Sequence, residues 1–111
     1  MSARTRAGRY YVYLALARDG AYYCGYALDA ESRIALHNAG RGAKILRGKR
    51  PVTLAYRRAF ATKSAALRFE ASLKRRGHTH KAALSRRWLA RRSIEGAVAR
   101  QPNPASQTTP R

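Results

Sequence analysis

The chain has 111 residues and a net charge of +19, from 24 Lys and Arg against 5 Asp and Glu. That length is one ordinary domain with a single core. It holds no apolar run long enough to span a bilayer and no charged-then-apolar leader at its N-terminus, and Cys24, its one cysteine, has no internal disulfide partner. A cytoplasmic location and a monomer or weak homodimer are therefore expected. A charge this large repels itself, so a polyanion is the expected partner. Nucleic acid comes first, because each neutralised phosphate releases counterions; an acidic membrane surface comes second, and an arginine-rich host proteome is the bland alternative.

Residues 1–8 read as a loose basic leader. YYVYLALA, Tyr10 to Ala17, is aromatic and aliphatic and predicts a strand. Arg18-Asp19-Gly20 is a turn signal, and AYYCGYAL, Ala21 to Leu28, predicts the second strand of a hairpin. Asp29 is a good N-cap for a helix that stops at Gly40. The basic, glycine-broken RGAKILRGKRP that follows reads as a loop ending at Pro51, and Val52 to Phe60 predicts a third strand. Thr62 caps a second helix that stops at Gly77, and Thr79 caps a third, THKAALSRRWLARR. After about Glu95 the chain turns polar and proline-bearing, so 96–111 reads as a disordered tail. The order β-β-α-β-α-α predicts an α+β domain with helices packed on a small sheet.

Three groups of residues carry possible chemistry. On the second helix Ala66, Leu67 and Leu73 fall on one side, which should be buried, and Glu70 lies in the same sector. A carboxylate there needs a positive partner. It is either one half of a salt bridge or a ligand for a hard divalent cation. On the first helix Arg33 and His37 share a face with Ala30 and Ile34, so that face turns inward. Arg33 is either an ordinary surface charge or a two-pronged phosphate grip; His37 is a proton shuttle, a phosphate donor or a packed core histidine, and position alone favours the last. On the first strand Tyr11 and Tyr13 lie opposite Val12, Leu14 and Leu16. A two-residue Asp19-Gly20 loop would pair Leu16 with Tyr23 and separate Tyr13 from Tyr23. A three-residue loop with a left-handed Gly20 would pair Ala15 with Tyr23 and put both phenols on one face. His78 and His80, without a third ligand nearby, read as surface or backbone-contacting residues.

The spacing of Tyr11-Val12-Tyr13, Tyr23-Cys24-Gly25, Arg33, His37 and Glu70 resembles the GIY-YIG nuclease superfamily, in detail its small stand-alone bacterial members. The likeness runs from about Arg9 to Leu84 and includes the HN-G-GAK-RG-RPV run from His37 to Val52 and the S-ALR-E-K pattern from Ser64 to Lys74. Tyr11 stands for the family's opening glycine and Val12 and Cys24 for its isoleucines; Ile45-Leu46 and Ser72 replace a usual Tyr-Thr pair and a second acid. The Arg-rich helix over 85–95, around Trp88, lies beyond the match. It would dock through Trp88 and Leu89 or lie along a nucleic-acid backbone.

The resemblance implies a three-stranded antiparallel sheet flanked by helices and a metal-dependent endonuclease acting on DNA, in repair or processing. Tyr23 would position or activate the attacking water, Tyr13 would orient it, and Arg33 would stabilise charge on the phosphate. His37 would lie near the scissile phosphate, and Glu70 would hold one Mg²⁺ or Mn²⁺. Lys44, Arg47, Lys49, Arg50 and Lys74 would contact nucleic acid. A phenol is a poor base near neutral pH unless something depresses its pKa, and Arg33 and the cation are the implied means. The alternatives are a nucleic-acid-binding module of the same fold that does not cut, and an interaction protein for acidic partners.

Overall fold

The computed structural model describes residues 9–100; the expected leader over 1–8 and the tail over 101–111 lie outside them. The sheet has three antiparallel strands in the order β2-β1-β3, built from β1 (Tyr10–Leu16), β2 (Tyr22–Ala27) and β3 (Thr53–Phe60). β1 is the middle strand, which explains its run of apolar residues: Tyr13 and Ala15 are buried on one face, Val12 and Leu14 on the other. Helix α1 (Ala30–Asn38) covers the first face, where Ala30 and Ile34 join Tyr13 and Ala15. Helices α2 (Lys63–Lys74) and α3 (His78–Arg100) cover the second, where Ala66 and Leu73 join Val12, Leu14 and Tyr56. The expected α+β order and antiparallel sheet are thus present, with one apolar layer on each side.

The hairpin takes the three-residue loop. Ala15 pairs with Tyr23. The Ala17 N–H donates to Ala21 O at 2.8 Å, the Gly20 N–H donates to Ala17 O at 2.9 Å, and Gly20 has φ +91°, where an L side chain is strained. Asp19 secures the turn by accepting from the Ala21 N–H at 3.0 Å. Two of the three expected caps are in place: Asp29 accepts from the Ser32 N–H and Thr62 from the Ala65 N–H, each at 3.1 Å, while Thr79 lies inside the last helix, which starts at His78. In the β1–β3 ladder Ala55 is an extra residue, because Leu14 pairs with Tyr56 but Ala15 with Leu54. That bulge keeps Tyr56 and Arg58 on the α3 side of β3 and Leu54 and Arg57 on the α1 side.

Three expectations are corrected. The segment read as a loop contains a 3-10 helix, Lys44–Lys49, because Leu46 is an apolar anchor buried in the α1-side core. Leu67 is 40% exposed: α2 is rolled so that its neighbour Phe69 packs on Phe60, with ring centroids 5.3 Å apart. The last helix starts at His78 and continues through the first five residues of the expected tail, to Arg100. Ala97, Ala99 and Arg100 are good helix formers, and the first proline beyond is Pro102. Leu84 and Trp88 lie on one continuous helix and pack on the same core.

Candidate active site

Tyr13, Tyr23 and His37 come together on the α1 side of the sheet. The two phenol rings have centroids 6.4 Å apart, and the His37 ring lies 6.1 Å from Tyr13 and 5.5 Å, edge-on, from Tyr23. The cross-strand partner of Tyr13 is Gly25. A Cβ added there would lie 2.5 Å from both Cζ and Oη of Tyr13, so the glycine makes room for the phenol. The last residue of the Tyr-Cys-Gly stretch is therefore required by its opposite number on β1.

His37 is held from behind. Helix α1 ends in a Schellman turn: Gly40, φ +81°, donates to His37 O at 3.1 Å and Arg41 donates to Leu36 O at 2.9 Å. This turn folds the chain back so that the Ala43 N–H donates to His37 Nδ1 at 3.0 Å. Any side chain at Gly42 would run into the same imidazole. A ring nitrogen that accepts a hydrogen bond carries no proton, so in the neutral ring the proton sits on Nε2. Nε2 lies 2.9 Å from Tyr13 Oη and donates to it. The hydroxyl proton of Tyr13 is then left to point away from His37.

Electrostatics agree with that assignment. Burial, and next the Arg33 guanidinium, push the His37 pKa down, which keeps the imidazole neutral at neutral pH. Burial pushes the Tyr13 phenol well above its ordinary value; Tyr23 adds to the rise, Arg33 opposes it and Glu70 adds again. Arg33 thus acts on Tyr13 in the direction expected from the sequence but loses to burial. Tyr13, 1% exposed, is a protonated donor and not a base.

Arg33 is half-buried on the inward face of α1, close enough to act on both Tyr13 and His37. Glu70 shares the inward side of α2 with Ala66 and Leu73, and its backbone carbonyl accepts from Cys24 Sγ at 3.9 Å. Its side chain, 16% exposed, meets Lys74 Nζ at 3.5 Å, while Lys74 is 57% exposed. The salt bridge expected as one alternative for Glu70 is therefore present, with a partner that reaches into solvent.

Residues 9–83 match the family profile described as the GIY-YIG catalytic domain. The chain belongs to the GIY-YIG family. It is similar to a UPF0213 protein of Streptococcus pneumoniae, 46% identical over 71 residues, which are 64% of this chain and 72% of that one. It is similar also to a UPF0213 protein of Halobacterium salinarum, 45% identical over 75 residues, 68% of this chain and 97% of that one. A solution NMR structure of a UPF0213 protein from Bacillus halodurans, 34% identical, covers 91% of this chain and 94% of its own with a TM-score of 0.40. GIY-YIG membership puts the chain in a nuclease superfamily, which implies interaction with nucleic acid. No helix among the described residues is long and apolar enough to cross a membrane.

Within this GIY-YIG domain the five basic residues expected to meet nucleic acid divide into two groups. Lys44 and Arg47 are exposed on the 3-10 segment. Lys49 pairs with Asp19 at 3.5 Å, Lys74 pairs with Glu70, and Arg50 donates to the carbonyls of Arg47 at 2.7 Å and Asn38 at 3.4 Å. The last three therefore have internal partners. Asn38, given no role from the sequence, brackets the backbone of Val52: Oδ1 accepts its N–H at 2.7 Å and Nδ2 donates to its C=O at 2.9 Å. The signal for it was the His37-Asn38-Gly40-Gly42 run, which reads locally as a helix end and only in three dimensions as the brace behind Tyr13. His78 contacts backbone, as read from the sequence, through Nε2 at 3.1 Å from Gly20 O.

One carboxylate, Glu70 on α2, is the candidate for holding a divalent cation. No group of three or more His, Cys, Asp or Glu side chains able to hold an ion occurs among the described residues, so an all-protein cage is not built. Mg²⁺ needs none: it keeps several waters and is commonly held by one or two carboxylates plus substrate phosphate. Glu70, a single inward carboxylate whose charge reaches Tyr13, fits that pattern.

Proposed function

We propose that the chain is a metal-dependent endonuclease that hydrolyses phosphodiester bonds in nucleic acid, with DNA as the substrate. The observation that carries this reading is the meeting of two phenols, Tyr13 and Tyr23, with His37 bracing Tyr13 and Arg33 half-buried on the helix that covers them. Tyr23, half-buried, is the phenol open to a water, and its Oη accepts a hydrogen bond from the attacking molecule. Tyr13 keeps its proton and donates it as a hydrogen bond to that water or to a phosphate oxygen. Arg33 grips the phosphate in a planar fork and offsets charge that builds as the bond from water to phosphorus forms and the bond to the leaving oxygen breaks. Glu70 would hold one Mg²⁺ or Mn²⁺, whose chemistry is to offset charge on the leaving oxygen. His37, 2% exposed, acts through Tyr13 and is a positioning residue. The single cysteine, buried and free, suits a reducing cytoplasm.

A second reading, a binding module that does not cut, draws support from the Glu70–Lys74 pair, which supplies the carboxylate with a partner inside the chain. One experiment separates the two: nicking of a labelled DNA duplex with Mn²⁺, with and without chelator, by the parent and by Glu70→Gln, Arg33→Ala and Arg33→Lys. The nuclease reading expects chelator-sensitive nicking that falls by orders of magnitude in all three variants, since an ammonium does not reproduce the fork. DNA binding by Glu70→Gln holds or tightens, because a negative charge near the phosphates is gone. Nicking by Glu70→Gln at the parent rate sinks the metal assignment, and no nicking by the parent on any duplex or flapped DNA leaves the binding module.

A further inference from the structure

A cluster of arginines lies away from Tyr13 and Tyr23. A groove at the outer edge of the sheet runs between β3 and α3, lined by Tyr56, Arg57 and Arg58 from the strand and by Leu84, Arg87, Trp88 and Arg91 from the helix. Four arginines meet there: Arg57, Arg58, Arg87 and Arg91. Arg57 pairs with Glu31, and the other ion pairs of the described residues, Asp19 with Lys49 and Glu70 with Lys74, involve none of Arg58, Arg87 and Arg91. Like charges gathered in one groove repel one another, and the arrangement becomes more favourable when an anion enters.

The groove is also pre-built. Trp88 anchors α3 to the core layer of Val12, Leu14 and Tyr56. Arg87 and Arg91 follow on one ridge, a helical turn or about 6 Å apart along the axis. The Arg58 guanidinium stacks on the rings of Phe60 and Phe69, 4.9 Å from each centroid, which fixes it in place before any ligand arrives. Arg92 covers the Trp88 ring at 4.7 Å, so the indole is a support here and not a platform for bases. A row of guanidiniums, with Arg58 held in place and the Trp88 face covered, matches a phosphate backbone and offers little to read base edges.

We infer that the β3–α3 groove is a second nucleic-acid surface, which binds the phosphate backbone of a DNA duplex through Arg58, Arg87 and Arg91. It sits on the edge opposite β2, the strand that carries Tyr23, two strand spacings or roughly 10 Å across the sheet. The C-terminal helix, which continues past the family match at residue 83, is thereby part of the binding surface. This rests on the nucleic-acid half of the function proposed above and not on cleavage, so the test is run in chelator.

Affinity of a labelled 20-base-pair duplex is measured against NaCl concentration for the parent, for the triple variant Arg58→Gln/Arg87→Gln/Arg91→Gln, and for a control, Arg75→Gln/Arg76→Gln/Arg86→Gln, in which the same three charges are removed from exposed positions outside the groove. Each phosphate contact contributes about 0.9 to the slope of log K against log salt. The groove variant is expected to lose about 2–3 from that slope and to weaken alike on unrelated sequences; the control is expected to lose less than 1. Equal losses in the two variants would reduce the groove to generic charge and overturn the inference. A second measurement needs no variant. Trp88 is the chain's only tryptophan. Saturating DNA, followed independently by anisotropy, is expected to change its emission and shield it from iodide. Saturation that leaves both untouched overturns the inference as well.

Discussion

Two side chains in the site are constrained by what faces them. Gly25 opposes Tyr13, and an added methyl would sit 2.5 Å from the phenol. Gly25→Ala is therefore expected to cost on the order of 1–3 kcal/mol, the usual range for overpacking a filled core. Adding Tyr13→Leu should restore part of that loss, because the obstructing ring is removed. Urea unfolding of the single and double variants checks it, and a single variant as stable as the parent would refute the contact. His37 makes a prediction about pH. Burial lowers its folded pKa, so below the ordinary imidazole value near 6.5 the unfolded chain takes up a proton that folded His37 refuses. The stability contributed by neutral His37 is present above about pH 6.5 and is lost as pH falls through the lower folded value. Melting temperature should drop between pH 7.5 and 5 in the parent, and the drop should be smaller in His37→Gln, where His78 and His80 remain as exposed controls. An unchanged acid slope would mean that His37 is not the group responsible.

At the scale of elements, the link between α1 and β3 is the part that locates the site. Asn38 brackets Val52, Ala43 caps His37, and Arg18 donates its N–H to Lys49 O at 2.9 Å, which ties the hairpin turn to the 3-10 segment. Asn38→Ala leaves a backbone donor and a backbone acceptor of Val52 without partners, at a cost of about 1–3 kcal/mol. Amide exchange over Lys44–Lys49 should quicken more than exchange in the middle of β1, because only the segment loses its brace. Uniform quickening would show a global effect and not a local one. Caps and turns of the helices were legible from the sequence because they are local: Asp29, Thr62 and Gly40 each act within a few residues. The 3-10 helix was not, because its cause is Leu46 reaching a core assembled from β1, β2 and α1.

Over the whole molecule, charge is the dominant quantity. With 24 basic residues against 5 acidic, self-repulsion destabilises the compact state unless salt or a polyanion screens it. Melting temperature should therefore rise between 20 mM and 500 mM NaCl in the absence of DNA. The described ion pairs are partly exposed and worth little, so their screening does not reverse the sign. A fall with salt would mean that those few pairs outweigh the repulsion. The same surplus explains why Arg58, Arg87 and Arg91 can gather in one groove: there are few carboxylates to go round.

By itself the sequence determined the class of fold, the positions of the three strands to within a residue or two, the start of α1, and the face on which Arg33, His37 and Glu70 lie. These follow from periodicity, caps and turn residues, which are short-range. It left the hairpin register open between two loops, and with it the meeting of Tyr13 and Tyr23. Tertiary structure decided that, through a left-handed Gly20 and pairing of Ala15 with Tyr23. It decided also that burial outweighs Arg33 at the Tyr13 phenol, that Glu70 meets Lys74, and that the last helix closes a basic groove with β3. Each of these is a balance between groups distant in the chain, and such balances exist only once the sheet has brought both sides together.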